Sequence, residues 1–309
     1  MILAFFMVDM QKSRAVIYGL LIFASLTWAG SFIAVRLIFE QVPPIVLGFL
    51  RFVVATPVMF CLLISLKKRL FLPRKELPKL IVLGLTGVTF LYIFQFIGVS
   101  LTTASTGGVL INTNVLFIAL FSALFLHETF SLKKTMGIII SFMGVVLVVI
   151  GQMTNELMVF DQRFLIGCLL IILSAVCWAM YSIVGKSLLK TYDSVTVTTN
   201  AFLLGTLFYL PFVVPDVFSV VHNLSVQGII AILYLGLFCS VFAYLAWYHA
   251  LSHLEAAQSA VFLNFIPLFT ILLSFLIGEI PTPLFFVGTV FIMYGVYLTQ
   301  KSRVKKESL

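Results

Sequence analysis

The amino-acid sequence predicts an all-α polytopic membrane protein with ten transmembrane helices in an inverted 5+5 repeat. Three observations carry this. The 309 residues are 62% apolar and only 10% Asp, Glu, Lys or Arg, with a mean hydropathy of +1.19, whereas a soluble domain needs roughly a quarter of its residues charged. The apolar residues gather into ten runs, each near the roughly 20 residues that cross a bilayer as a helix. Features of the first half return in the second at a shift of about 150 residues. Soluble, disordered, collagen-like and disulfide-scaffold classes are excluded together. A β-barrel fails as well, because the runs exceed the roughly ten residues of a barrel strand and do not alternate.

In chain order, residues 1–14 form a cytoplasmic leader. Its apolar start, Met1 to Val8, precedes Asp9, Lys12 and Arg14, the reverse of a signal peptide's order. The first repeat, 15–151, holds spans near 15–37, 44–66, 79–100, 103–126 and 133–151. An outer linker covers 152–164. The second repeat, 165–299, holds spans near 165–185, 195–215, 228–250, 254–277 and 283–299, and 300–309 is a basic cytoplasmic tail. Cys61, Cys168, Cys177 and Cys239 all lie in apolar stretches and none is part of a CxxC pair, which argues against disulfides and zinc.

Cytoplasmic loops carry the Lys and Arg excess. With the N-terminus inside, the inner segments hold Lys12 and Arg14, six basic residues in 67–79, Lys133 and Lys134, Lys186 and Lys190, and four in 301–306, together 16 of the 19. The outer side holds Arg36 and Arg163, and Arg51 lies within a span. Both termini are therefore expected in the cytoplasm of a cell-membrane protein. The net charge of +8 reflects topology and weak attraction to anionic lipid, so no nucleic-acid partner is expected.

Trp28-Ala29 recurs as Trp178-Ala179, and Arg36 as Lys186. Glu128, Ser131, Gly137 and Gly144 recur as Glu279, Thr282, Gly288 and Gly295. Five spans per half is an odd number, so the second half enters the membrane from the opposite side, the inverted architecture that lets a bundle rock around a midplane site. The segment Leu26 to Arg36, the Leu50-Arg51-Phe52 step, and the His127-Glu128 and Gly278-Glu279 helix ends with their following glycine pairs resemble EamA-type members of the drug/metabolite transporter superfamily. One departure is Asn112-Thr-Asn114 in span 4, which lacks the proline that span 9 has at Pro267. The resemblance implies a carrier of small metabolites, often an exporter, with a central cavity between the halves.

Catalytic templates fail. His127-Glu128 lacks the second His of a zinc HExxH site, and Gly185-Lys186-Ser187 has Met180 where a phosphate loop needs its first Gly. His249 and His253 with Glu255 read as an interfacial polar cluster rather than a metal site. No span holds paired carboxylates for acid–base work. Neither enzyme activity, metal nor cofactor is expected.

Polar and aromatic groups facing lipid cost free energy, so those at helical spacing within spans are expected to point inward. These are Ser25, Trp28 and Ser31 on span 1, with Trp178 and Tyr181 on span 6. Span 3 offers Tyr92 and Gln95, spans 4 and 9 offer Asn112, Asn114 and Asn264, and span 8 offers Tyr244, Trp247 and Tyr248. Arg51 reads either as an interior anchor bonding backbone carbonyls or as the partner of a substrate carboxylate, about 10 Å deep by helical rise and able to snorkel. Glu128 and Glu279, each at a helix end three residues before a Ser or Thr N-cap, read as hairpin elements or as a gate or proton site. Aromatics and amides with one cation suit a small neutral or zwitterionic molecule such as an amino acid, carried by alternating access by a protein functional as a monomer. With every acidic residue at a span end or in a loop, facilitated diffusion is expected over proton exchange. The alternative is a lipid-handling flippase or polyprenyl-phosphate enzyme, which needs phosphate-binding cations near one face.

Overall fold

The computed structural model describes residues 14–126, 132–153, 162–213, 217–254 and 256–301, and these form helices with no strand. In chain order the bundle helices are α1 (Arg14–Ile38), α2 (Pro44–Ser65), α3 (Arg74–Leu101), α4 (Ala104–Leu110 continued by Asn114–Leu126), α5 (Leu132–Met153), α6 (Gln162–Leu189), α7 (Ser194–Val213), α8 (Val226–His253), α9 (Ala256–Val261 continued to Ile277) and α10 (Pro283–Lys301). A short helix, Val217–His222, lies outside the ten expected spans. Eight of these helices are long and apolar enough to cross a membrane, and α5 and α10 contribute shorter apolar stretches, Thr135–Gly151 and Pro283–Leu298.

Local chemistry fixes the helix starts. Pro44 begins α2 where a missing N–H costs nothing. Thr103, Asp193, Ser225 and Thr282 each accept a hydrogen bond from the backbone N–H three residues on, at 3.1–3.2 Å, and so cap α4, α7, α8 and α10. The pairing of Thr282 with Pro283 matches the hairpin expected there. The tight turn before it ends α9 on Gly278 at φ +77°, a conformation that favours glycine.

Equivalent residues of the two halves meet across a pseudo-twofold axis. Trp28 and Trp178 lie with ring centroids 5.2 Å apart. The Thr56 and Thr206 hydroxyls are 3.0 Å apart, the Tyr92 and Tyr244 hydroxyls 2.9 Å, and Asn112 donates to Asn264 at 3.0 Å. The relation is reciprocal in α5 and α10: Gly144 contacts Gly288 while Gly295, the partner of Gly144 by the repeat, contacts Gly137. A Cβ on Gly144 would stand 2.6 Å from the Gly288 carbonyl oxygen, and one on Gly288 would stand 2.7 Å from that of Gly144, so this pair of helices approaches backbone to backbone.

Two features were not legible in the sequence. Helices α3 and α8 each widen into a π-helical stretch, Leu85–Thr89 and Leu235–Phe242, starting 150 residues apart. Helix α4, despite lacking a proline, passes through a 3-10 turn at Ile111–Thr113, matching the turn Phe262–Asn264 of α9. The interruption therefore belongs to the packing of both halves, and Pro267 is not its cause.

Candidate functional site

The centre of the bundle is an aromatic cluster built by α1, α6 and α8. Trp28 and Trp178 contact each other and both contact Tyr244 and Trp247, edge-on or tilted at 5.2–6.3 Å between centroids, and Tyr181 stacks on Tyr248 at 4.9 Å. The wide turns hold this cluster in place. An opened turn frees backbone carbonyls from the helical ladder. Gly87 of the α3 turn accepts the Tyr244 hydroxyl at 2.7 Å. Cys239 of the α8 turn accepts the Trp28 Nε1–H at 3.0 Å and an Arg51 Nη2–H at 2.9 Å.

Beside the cluster lies a cavity of about 30 Å³ lined by Trp28, Ser31, Tyr92, Gln95, Asn114 and Trp178 together with Phe32, Leu91, Ile111, Leu263 and Ile266. Six of the expected site residues thus converge on one space. Asn112 and Asn264 instead bridge the halves. Ser25 is consumed by the carbonyls of Leu21 and Phe262, and Tyr181, Tyr244, Trp247 and Tyr248 form the cluster behind the lining. The apolar lining residues escaped sequence reasoning because an apolar side chain in an apolar span carries no signal. Phe32 alone, one turn from Trp28, was within reach of it.

Several buried polar atoms here have no partner: the indole N–H groups of Trp178 and Trp247, the amide oxygens of Asn112 and Asn114, and the Tyr181 hydroxyl. Buried polar atoms are normally satisfied, and two of these, the Trp178 N–H and the Asn114 amide oxygen, belong to residues that line the cavity, where a ligand can supply the missing partners.

Arg51 corrects one expectation. It does not snorkel, since it is 0% exposed within the bundle. Its Nε donates to Ser240 Oγ, and its guanidinium lies 3.9 Å from the Tyr92 ring centroid. Of its nitrogens Nη2 donates to a backbone carbonyl, that of Cys239, and Nε to a side-chain hydroxyl, both partners being invisible without the wide turn.

Glu279 sits at the end of the bundle that holds Arg36. Its carboxylate accepts the backbone N–H groups of Ala104 and Ser105 at 2.9 and 3.0 Å and the Ser105 hydroxyl at 3.1 Å, and pairs with Arg36 at 3.6 Å. A carboxylate at a helix N-terminus is favoured by the unpaired N–H groups and the helix dipole. This one ties the α9–α10 connection to α4 and α1, joining the two halves. Glu128, its counterpart by the repeat, lies outside the described residues.

Two pseudo-symmetric five-helix halves around an aromatic and amide-lined cavity make the architecture of a membrane transporter. The chain belongs to the EamA-like transporter family, whose model matches it twice, over residues 15–150 and 165–300. It is 37% identical over 282 residues to an uncharacterized transporter of Archaeoglobus fulgidus, covering 91% of this chain and 96% of the relative. It is 27% identical to a probable terminal-alkyne amino-acid exporter of Streptantibioticus cattleyicolor, covering 94% and 95%. A protein of known crystal structure, 19% identical, shares the fold with a TM-score of 0.66 over 96% of this chain and 100% of the other. The family and the two named relatives are described as transporters, not enzymes.

Proposed function

We propose that the protein is a secondary carrier, an exporter or facilitator, that moves a small neutral or zwitterionic metabolite, amino acids foremost, by alternating access. The observation that carries this reading is the mixed set of orphaned groups. At the cavity the Trp178 N–H offers a donor and the Asn114 amide oxygen an acceptor that suits an ammonium, while the aromatic faces suit an apolar side chain. The relative described as an amino-acid exporter supports the same class. A cavity of about 30 Å³ falls far short of the roughly 300–1,000 Å³ of ligand pockets. The lining comes from α1, α3, α4, α6 and α9, so admitting a metabolite requires the two halves to part. The expected driving force is the substrate gradient, and the protein works as a monomer.

Reconstituted into proteoliposomes, the carrier is expected to exchange one or more amino acids from a panel that also holds sugars and lipid analogues. Movement of lipid analogues alone would overturn the proposal. We further propose a cell-membrane location with both termini cytoplasmic. A cysteine at Gln162, placed in a chain with its four native cysteines replaced, is then expected to react with an impermeant maleimide from outside. Labelling only after the cytoplasmic face is exposed would reverse the orientation.

A further inference from the structure

Arg51 is a buried cation that the protein leaves incompletely partnered. A guanidinium brings five N–H donors and no acceptor. Ser240 and Cys239 satisfy Nε and Nη2, but Nη1 is buried without a partner. Arg51 belongs to neither the Arg36–Glu279 nor the Lys79–Glu76 ion pair. Its other neighbours are the rings of Tyr92, Phe52 and Phe96 at 3.9, 5.3 and 5.9 Å, which supply quadrupoles and no countercharge.

A second orphan stands close by. Tyr209 of α7 is also 0% exposed, and its hydroxyl has no partner. That hydroxyl lies against Gly48, one turn before Arg51 on α2, at a point where a Cβ would also meet Tyr92 at 3.5 Å. Two unpaired donors, one of them charged, thus converge around Tyr92 from two helices. What both lack is an acceptor, and what the cation lacks is a negative charge. A monoanion satisfies both.

We propose that Arg51 Nη1 and the Tyr209 hydroxyl form a monoanion subsite, occupied during transport by the carboxylate of the carried molecule, with Tyr92 as its cover. Tyr92 lines the cavity and also lies over the guanidinium, held there by its hydrogen bond to Tyr244 at 2.9 Å. Displacing the Tyr92 side chain joins the cavity to the cation. The subsite rests on the carrier reading and narrows it: a substrate must carry a carboxylate, and the matching amine without one is rejected.

The test is intrinsic tryptophan fluorescence of the full-length carrier in detergent, titrated separately with L-phenylalanine, phenethylamine, sodium acetate and sodium chloride. Phenylalanine and acetate are expected to bind, and phenethylamine, the same molecule without its carboxylate, about tenfold or more weakly, as suits a charge-assisted contact. Tyr209→Phe keeps the ring and is expected to weaken phenylalanine and acetate about three- to tenfold while leaving phenethylamine unchanged. Arg51→Gln is expected to erase the preference for phenylalanine over phenethylamine. Equal binding of those two by the native carrier, or acetate affinity unmoved in Tyr209→Phe, would overturn the subsite, as would silence towards every anion. Binding of chloride alone would overturn the carboxylate assignment. Acetate binding that depends on Arg51, with no response to any amino acid, would uphold the subsite and sink the amino-acid reading instead.

Discussion

Replacing both Trp28 and Trp178 by phenylalanine is expected to cut substrate exchange roughly ten- to hundredfold without loss of the folded carrier. The two indoles come from equivalent positions of the halves and meet at 5.2 Å beside the cavity. Each aromatic contact of this kind is worth about 0.5–1.5 kcal/mol beyond the area it buries, and Trp178 also offers an unpaired N–H. Phenylalanine keeps a ring in the cluster, whereas alanine at a buried tryptophan costs about 3–5 kcal/mol of stability and would confuse unfolding with lost binding. Exchange rates, normalised to the monodisperse fraction in detergent, check the result. Normal exchange by the double variant would remove the cluster from the transport path.

The second large effect is expected at Glu279. Glu279→Gln neutralises the carboxylate that accepts three hydrogen bonds from Ala104 and Ser105 and pairs with Arg36. Hydrogen bonds to a charged group contribute about 1.5–3 kcal/mol each and their neutral counterparts about half that. A net loss of roughly 2 kcal/mol shifts the population towards a parted Arg36 end about thirtyfold. A cysteine at Gln95, which lines the cavity, is then expected to react faster with impermeant maleimide added on that side. The same rate in Glu279→Gln as in the Glu279 carrier would show that the contact is only a helix cap. If exchange driven by substrate alone persists in the variant, the carboxylate latches the bundle; if uphill, proton-driven accumulation exists and vanishes, it couples protons.

Much of the bundle was legible because the membrane simplifies the code. A span must be long and apolar, so α2 was anticipated as 44–66 and is Pro44–Ser65. The repeat follows from a few polar, aromatic and glycine positions, among them Trp28 and Trp178, which the sequence marks as equivalent and inward-facing. What the sequence hid was backbone geometry and partners distant along the chain. Nothing in Leu235–Phe242 announces a wide turn, because the donors that its Cys239 carbonyl receives, an indole from α1 and a guanidinium from α2, lie far away in the chain. The Glu279 side chain was recognised as an unusual end residue, yet its targets, Ala104 and Ser105, lie 175 and 174 positions away. Tyr209 carries no signal in the sequence, because a lone tyrosine in an apolar run reads as ordinary packing.

The wide turns of α3 and α8 are matched in position but unequal, five residues against eight. Were the halves identical, exchanging their conformations would give a state related by the twofold axis and equal in free energy, and an empty carrier that alternates as proposed would divide itself evenly between its two facings. The unequal turns break that degeneracy. A bias of only about 1.4 kcal/mol makes one facing tenfold more populated, and the apparent affinity seen from the other side falls with the scarcity of the competent state. Such a carrier cannot move the final equilibrium of a downhill substrate, yet it is rectifying in rate: half-saturation differs between the two membrane faces, with maximal fluxes offset to match. On the proposed alternating-access cycle the duplicated architecture supplies two facings, and mismatches between its copies, the wide turns among them, bias which one waits for substrate.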